Sequence, residues 1–221
     1  ATQSHITDVL FVFGLAGMII GSLHAIREKN INRMVAFSSA AQIGYIYAAI
    51  GLGTEAGLAA AVFHMMTHAL TKPLLFTAAD GLIDAVGNRK DFASLRGSAH
   101  LNRLAGIGFT VGSLSMVGLP AFSGFVSKLL IAEASTNVAG KMLATLIVLS
   151  VSTILNAVYF LHTVITIYTP RTPDLPVYGV MKNRKGLFAV YACFIAAILL
   201  LGLHPQPVLN ILSSGITLFV K

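Results

Sequence analysis

Six apolar runs follow one another along the chain, each long enough to cross the roughly 30 Å hydrocarbon core of a bilayer as a helix. They cover residues 7–26, 31–53, 56–86, 104–134, 142–168 and 186–203. The pattern predicts an all-α polytopic membrane protein with about six transmembrane helices, organised as one transmembrane domain over 1–221. The polar residues inside these runs fall at helical spacing. His64, His68 and Lys72 stand at i, i+4 and i+8 in the third run, a stripe roughly 12 Å long on one helix face. Ionisable groups at membrane depth are expensive, and they normally face a bundle interior or a water-filled path for ions or protons. Ser38, Gln42 and Tyr45 form a second face in the second run, open to two readings: interhelical hydrogen bonding, or a polar wall facing the histidine stripe. In the fifth run Ser152, Asn156, Tyr159, Thr163 and Thr166 read as packing contacts, with His162 beside them as a relay candidate.

Two runs carry helix breakers. Pro73 directly follows Lys72, removes one backbone hydrogen bond and is expected to free a carbonyl beside the lysine. Gly118-Leu119-Pro120, followed by Ser123-Gly124, predicts a broken helix in the fourth run. Such a break at membrane depth is tolerated only where it is buried in protein or lines a cavity. Lys128 lies one turn beyond Gly124. It is either a snorkelling interfacial lysine or a second intramembrane functional group. Asp80, at i+8 from Lys72, reads as a counter-charge or as a residue at the membrane edge.

Composition agrees with the pattern. The chain is 56% hydrophobic and 10% charged, with a mean hydropathy of +0.81. Soluble domains carry about 25% charged residues. The net charge of +7 does not indicate nucleic acid, because the basic residues sit in short loops between apolar runs. Eleven of the fifteen lysines and arginines lie in the loops after the first, third and fifth runs. The positive-inside rule then places those loops in the cytoplasm and both termini outside. Cys193 stands alone in an apolar run and reads as a small buried hydrophobe; no disulfide or cysteine-based metal site follows from it. The stretch from Ala1 lacks an initiator Met and the basic start of a signal peptide, so the sequence reads as a fragment or as one half of a longer protein. His204-Pro205-Gln206-Pro207 ends the sixth run, and the tail to Lys221 reads as a short interfacial helix.

Several motifs in fixed order carry a resemblance. Lys29-Asn30-Ile31-Asn32-Arg33, Ser38-Ser39 and Gln42-Ile43-Gly44-Tyr45 come first. His64-x3-His68-x3-Lys72 follows, then Gly118-Leu119-Pro120 and Ser123-Gly124-Phe125-x2-Lys128. From about Phe11 to Tyr168 the chain resembles the antiporter-like subunits of respiratory complex I, a family shared with membrane-bound hydrogenases and Mrp-type cation/proton antiporters. Members have two inverted five-helix repeats, each with a broken helix carrying a lysine or glutamate. The resemblance implies that this chain is the second repeat with flanking helices and lacks the first, with its glutamate–lysine pair. It implies that Lys72 is the central-axis lysine, Lys128 the broken-helix residue at an exit half-channel, and His64 and His68 the bridging histidines. Pro73 and Asp80 depart from the small or apolar residues the family pattern has there.

The expected function is proton translocation coupled to redox chemistry in partner subunits. Lysine and histidine can exchange protons through water, and each charge displaces its neighbours' protonation at low dielectric. Tyr45, Gln42, Ser123, His162 and Asp80 are further candidates for the relay or its lining. One alternative is Na⁺/proton exchange of the Mrp type; another is a structural membrane subunit without transport. His64 and His68 would also make a zinc pair, but no Cys or Glu stands near and a cationic Lys72 would repel the metal. Lipid and other membrane subunits are the expected partners, with no nucleic acid and no cofactor. The expected location is the inner (cytoplasmic) membrane.

Overall fold

A computed structural model describes residues 2–170 and 184–219. The described residues form nine helices: α1 (Thr2–Arg27), α2 (Ile31–Gly51), α3 (Glu55–Asp84), α4 (Ser98–Leu101), α5 (Arg103–Val117), α6 (Ser123–Thr136), α7 (Ala139–Tyr168), α8 (Arg184–Leu203) and α9 (Gln206–Phe219). No strand occurs among them.

Local sequence sets the helix ends. Asn30 caps α2, its Oδ1 accepting from Asn32 N at 3.0 Å and Arg33 N at 3.3 Å. Thr54 does the same for α3 by accepting from Gly57 N at 3.0 Å. The α1–α2 hairpin packs backbone against backbone through small residues: a Cβ at Gly44 would lie 2.5 Å from Met18 N. α3 runs unbroken through Pro73, which it holds on an exposed face. The fourth run is two helices. α5 stops at Gly118, which has a left-handed φ of 88° and donates to Leu114 O and Ser115 O. α6 starts after Phe122. The halves cross closely, since a Cβ at Gly124 would lie 1.7 Å from Ser115 O.

Four helical stretches are long and apolar enough to cross a membrane: His5–Arg27, Ile31–Gly51, Ala139–Tyr168 and Gly186–Leu203. α3 is long enough, but His64, His68 and Lys72 make its central stretch less apolar. At 15 and 14 residues, α5 and α6 each reach only part of the way. The ends of the bundle are clearly sorted. At one end Lys141 bridges α1, α2 and α7, pairing with Asp8 at 2.6 Å and donating to Gly51 O at 2.7 Å. At the other, Ile31 N donates to Lys90 O at 3.1 Å and Asn102 Nδ2 to Gly81 O at 3.0 Å. This second end carries Arg27, Lys29, Arg33, Arg89, Lys90, Arg96 and Arg103.

One expectation reads differently in the structure. Cys193 is exposed rather than buried, because α8 turns Tyr191 and Ile198 inward and leaves Cys193 on its outer face. The tail is helical over α9, which packs against α3. The proline-rich loop, with Pro173, Pro176 and Arg171, lies outside the described residues.

Candidate functional site

The site forms where α2, α3, α6 and α7 meet around the break between α5 and α6. Lys72, 5% exposed, projects from the middle of α3 towards the first turns of α2. Its Nζ donates to Val35 O at 2.9 Å and makes a short hydrogen bond to Ser38 Oγ. The Phe160 ring of α7 lies 6.0 Å from Nζ. Val35 O, in the second turn of α2, also accepts from Ser38 Oγ at 2.8 Å and Ser39 Oγ at 3.3 Å.

Lys128, 7% exposed, is held by the helix break. Its Nζ donates to Met116 O at 3.0 Å and Val117 O at 2.8 Å. The last carbonyls of a helix lack intrahelical partners and carry the negative end of its dipole. The break at Gly118 thus turns the C-terminus of α5 into a seat for an ammonium group. Its third neighbour is the Tyr45 ring, 5.4 Å from Nζ.

Between the lysines stand the histidines. His64 is buried, stacks on Tyr45 with centroids 5.3 Å apart, and its Nδ1 lies 3.0 Å from Ser127 Oγ. Ser127 immediately precedes Lys128 and donates to Gly124 O at 3.0 Å. His68 lies one turn from both His64 and Lys72 and is partly buried. His64 Nε2, His68 Nε2, Gln42 Nε2, Thr67 Oγ1, Ser113 Oγ and Ser123 Oγ are buried and have no hydrogen-bond partner. Buried polar atoms of this kind are costly unless water or a moving proton carrier serves them. No third His, Cys, Asp or Glu joins the histidines to form a metal-binding group among the described residues.

A second, fully bonded network backs the first. Tyr45 Oη donates to Ser152 Oγ at 2.9 Å and accepts from Asn156 Nδ2 at 3.3 Å. Tyr159 Oη donates to Asn156 Oδ1 at 2.5 Å, and Ser22 Oγ of α1 lies 3.3 Å from both Asn156 Oδ1 and Ser152 Oγ. The face of α7 read as packing contacts therefore fixes the tyrosine that touches both His64 and Lys128.

Lys72, His64, Lys128, Tyr45, Gln42 and Ser123 are buried, and His68 partly so. Two other candidates stand apart. Asp80 is exposed near the basic end and accepts from Asn32 Nδ2 at 3.0 Å. His162 is exposed and packs edge-on against Phe92 at 6.0 Å. Ser127, Ser22 and the carbonyls of Val35, Met116 and Val117 belong to the site without having been singled out. Ser127 stands at i+4 from Ser123 and was visible as a polar face of α6; the carbonyls have no sequence signal beyond the Gly-x-Pro break.

Residues 1–156 match the family described as NADH:quinone oxidoreductase/Mrp antiporter, transmembrane. NADH-quinone oxidoreductase subunit N of Desulforudis audaxviator is 34% identical over 169 residues, which is 76% of this chain and 33% of that protein. NADH-ubiquinone oxidoreductase chain 5 of Chlamydomonas reinhardtii is 38% identical over 131 residues, 56% of this chain and 23% of that protein. In three dimensions the chain is similar to a subunit of the Mrp complex from a Dietzia species, with a TM-score of 0.85 and 25% identity. That match covers 96% of this chain and 47% of the other. A chain of the archaeal membrane-bound sulfane sulfur reductase matches with a TM-score of 0.85 and 26% identity, over 97% of this chain and 42% of its own length. A chain of respiratory complex I from Thermus thermophilus matches with a TM-score of 0.72 and 25% identity, over 92% of this chain and 45% of its own length. The chain thus spans less than half the length of each of these relatives. The chain belongs to the NADH:quinone oxidoreductase/Mrp antiporter transmembrane family.

Proposed function

We propose that this chain is a proton-translocating module of a membrane complex, with protons passing between Lys72 and Lys128 by way of His68, His64 and Ser127. The observation that carries the reading is the setting of the two lysines. Both are buried; Lys72 bonds to a carbonyl and a hydroxyl and Lys128 to two carbonyls, with no carboxylate at either. The ion pairs described lie elsewhere, between Arg33 and Glu28 and between Lys141 and Asp8. An ammonium out of water without a counter-charge is costly, whereas the neutral amine is not. Such a group is suited to taking up and releasing a proton.

The coupling needs only electrostatics. A unit charge one helical turn away, about 6 Å, is worth roughly 3 kcal/mol at an effective dielectric of about 20. That is enough to change a neighbour's protonation about a hundredfold. Protonation of His68 therefore disfavours charge on Lys72, and a charge arriving at His64 disfavours charge on Lys128. Small side-chain motions and bridging water complete the path; no domain movement is required.

In this reading α3 and the α5–α6 pair also cross the bilayer, giving six spans, with the basic end in the cytoplasm and both termini outside. The likeness of the bundle to subunits of multi-subunit complexes supports other membrane subunits as partners. The bacterial inner membrane is the location this topology fits. Redox chemistry in such partners, or an opposing cation gradient as in the Mrp type, would supply the driving force. Lipid surrounds the exposed apolar faces of α1, α7 and α8. The test is proton flux in liposomes containing the chain alone and the chain with its co-purifying subunits. The reading expects flux in the assembled complex. A silent complex that is otherwise intact would leave only the structural role.

A further inference from the structure

α8 packs on both halves of the broken helix, α5 and α6. Its inward face repeats at helical spacing through Tyr191, Ile198 and Gly202, with Tyr191 and Ile198 buried. Tyr191 sets its ring against Gly108 of α5, where a Cβ would lie 2.3 Å from Tyr191 Cε1. Gly202, near the other end of α8, meets the loop that joins α5 to α6. A Cβ there would lie 2.3 Å from Ala121 O and 2.5 Å from Phe122 C. From Tyr191 to Gly202 is roughly 16 Å of helix, and from Gly108 to Gly118 roughly 15 Å, at 1.5 Å per residue. α8 therefore holds α5 at two places, one on its body and one just beyond its C-terminus.

The loop that Gly202 meets is the one that seats Lys128. Gly118 N donates to Leu114 O at 3.1 Å and Ser115 O at 3.0 Å, and Leu119 N donates to Leu114 O at 3.1 Å. These bonds close α5 in a Schellman-type turn and leave Met116 O and Val117 O to accept from Lys128 Nζ. Phe122 N donates to Leu119 O at 3.3 Å, and Phe122 O accepts from Phe125 N of α6 at 3.1 Å. The loop is thus bonded to both halves of the break. Lys128 packs on it directly, since a Cβ at Gly118 would lie 3.0 Å from Lys128 Cδ. Ala121 has a φ of 76°, in the left-handed region that L side chains seldom adopt. A residue stays in such a conformation only where its surroundings leave no alternative. The backbone of Gly202, packed on the Ala121 carbonyl, is part of that constraint.

We propose that α8 is a strut that sets the loop 118–122, and with it the two carbonyls that hold Lys128, and that Gly202 is a positioning residue for proton translocation. It acts through Ala121 and Phe122 rather than by touching the lysine. A side chain at 202 pushes the loop away from α8 and draws Met116 O and Val117 O off Nζ. The inference rests on the proton-translocation reading and adds an element that lies outside the relay.

The test uses the assembled complex in vesicles, with rates taken per amount of complex. Gly202→Ala is compared with Gly186→Ala on the same helix, where a Cβ would meet nothing within 4 Å. Gly202→Ala is expected to slow proton translocation about fivefold or more, and Gly186→Ala less than about 1.5-fold. Hydrogen bonds to the ammonium favour its charged form, so the rate–pH profile of Gly202→Ala is expected to be displaced by about half a unit or more. The profile of Gly186→Ala should coincide with the parent's. Adding Ala121→Gly to Gly202→Ala lets the loop yield to the new methyl, because glycine keeps the turn without strain. That pair is expected to recover most of the parent rate. If Gly202→Ala does not assemble, Tyr191→Leu reads the other end of the strut without adding bulk, and is expected to slow translocation about threefold or more. Parent rate and profile in whichever of these variants assembles overturns the strut. A lower rate with an unmoved profile and no rescue by Ala121→Gly marks a general packing defect and overturns it as well. Lys128→Met separates the two ideas. Lost transport there, with Gly202→Ala at the parent rate, removes the strut and keeps the relay; parent-rate transport in Lys128→Met removes Lys128 from the path, and the strut's purpose with it.

Discussion

The Lys128 ammonium lies 5.4 Å from the centre of the Tyr45 ring, and the same ring stacks on His64 at 5.3 Å. One aromatic residue of α2 therefore touches the lysine of the broken helix and a histidine of the central stripe. Its hydroxyl is anchored on the far side by Ser152 and Asn156. A desolvated cation–π contact contributes up to about 2 kcal/mol. The ring is expected to matter more than the hydroxyl. Tyr45→Phe should slow proton translocation about two- to threefold, and Tyr45→Leu about tenfold or more, measured as flux per assembled complex. Equal rates for Leu and the parent would show that the contact carries nothing.

Asn156 tests the anchoring network itself. Its amide joins Tyr45, Tyr159 and Ser22, so Asn156→Leu leaves several buried hydroxyls short of a partner. An unsatisfied buried polar group costs about 1–3 kcal/mol. Thermal unfolding of the purified complex in detergent should shift down by several degrees, whereas the exposed Ile154→Leu on the same helix should not. An unchanged melting temperature for Asn156→Leu would mean the network is dispensable for packing.

The helix break offers a sharper contrast. Gly118 has a φ of 88°, where a side chain costs roughly 1–2 kcal/mol, and a Cβ there would lie 3.0 Å from Lys128 Cδ. Gly118→Ala should assemble but slow transport by displacing the lysine from its two carbonyls. Gly124→Ala is expected to be worse, because its Cβ would have to sit 1.7 Å from Ser115 O. Loss of assembled complex on gel filtration should accompany Gly124→Ala and not Gly118→Ala. The reverse order would contradict the close crossing of α5 and α6.

These contacts show what the sequence conveyed and what it withheld. The apolar runs marked the long helices, and Gly118-Leu119-Pro120 marked the break, because helix breakers act locally through backbone geometry. The His64–His68–Lys72 stripe was visible for the same reason: helical spacing alone puts it on one face. The direction of Lys72 was not visible. A four-carbon side chain can swing up or down its helix, and only the packing of α2 against α3 decides that it ends at Val35 and Ser38. Pro73 lies inside α3, which continues through it with the ring on an exposed face. Asp80 and His162 looked close to the stripe or to the polar face of α7, yet rotation around each helix turns them outward. Ser152, Asn156 and Tyr159 were read as packing, and the structure shows that they also orient Tyr45.

Topology can be checked independently of transport. In a Cys193→Ala background, cysteines at Arg96 and Lys182 should react with an impermeant thiol reagent only from the cytoplasmic side. A cysteine at Glu55 should react only from outside. The alternation of basic loops requires this sorting. Reaction of the Arg96 and Glu55 positions from the same side would remove the six-span arrangement.

The central claim is that Lys72 stores and releases a proton, and substitution of that one residue addresses it most directly. Proton translocation by the assembled complex should be measured for Lys72→Met, Lys72→Arg and His68→Ala, each normalised to the amount of complex. Met keeps the length and apolarity but cannot titrate, and Arg keeps the charge but does not release a proton at working pH. Both should reduce translocation to below about a tenth of the parent rate while assembly stays near normal. His68→Ala should be milder, because water can replace one member of the relay. Translocation by Lys72→Arg at the parent rate would contradict the account and leave Lys72 as a fixed positive charge.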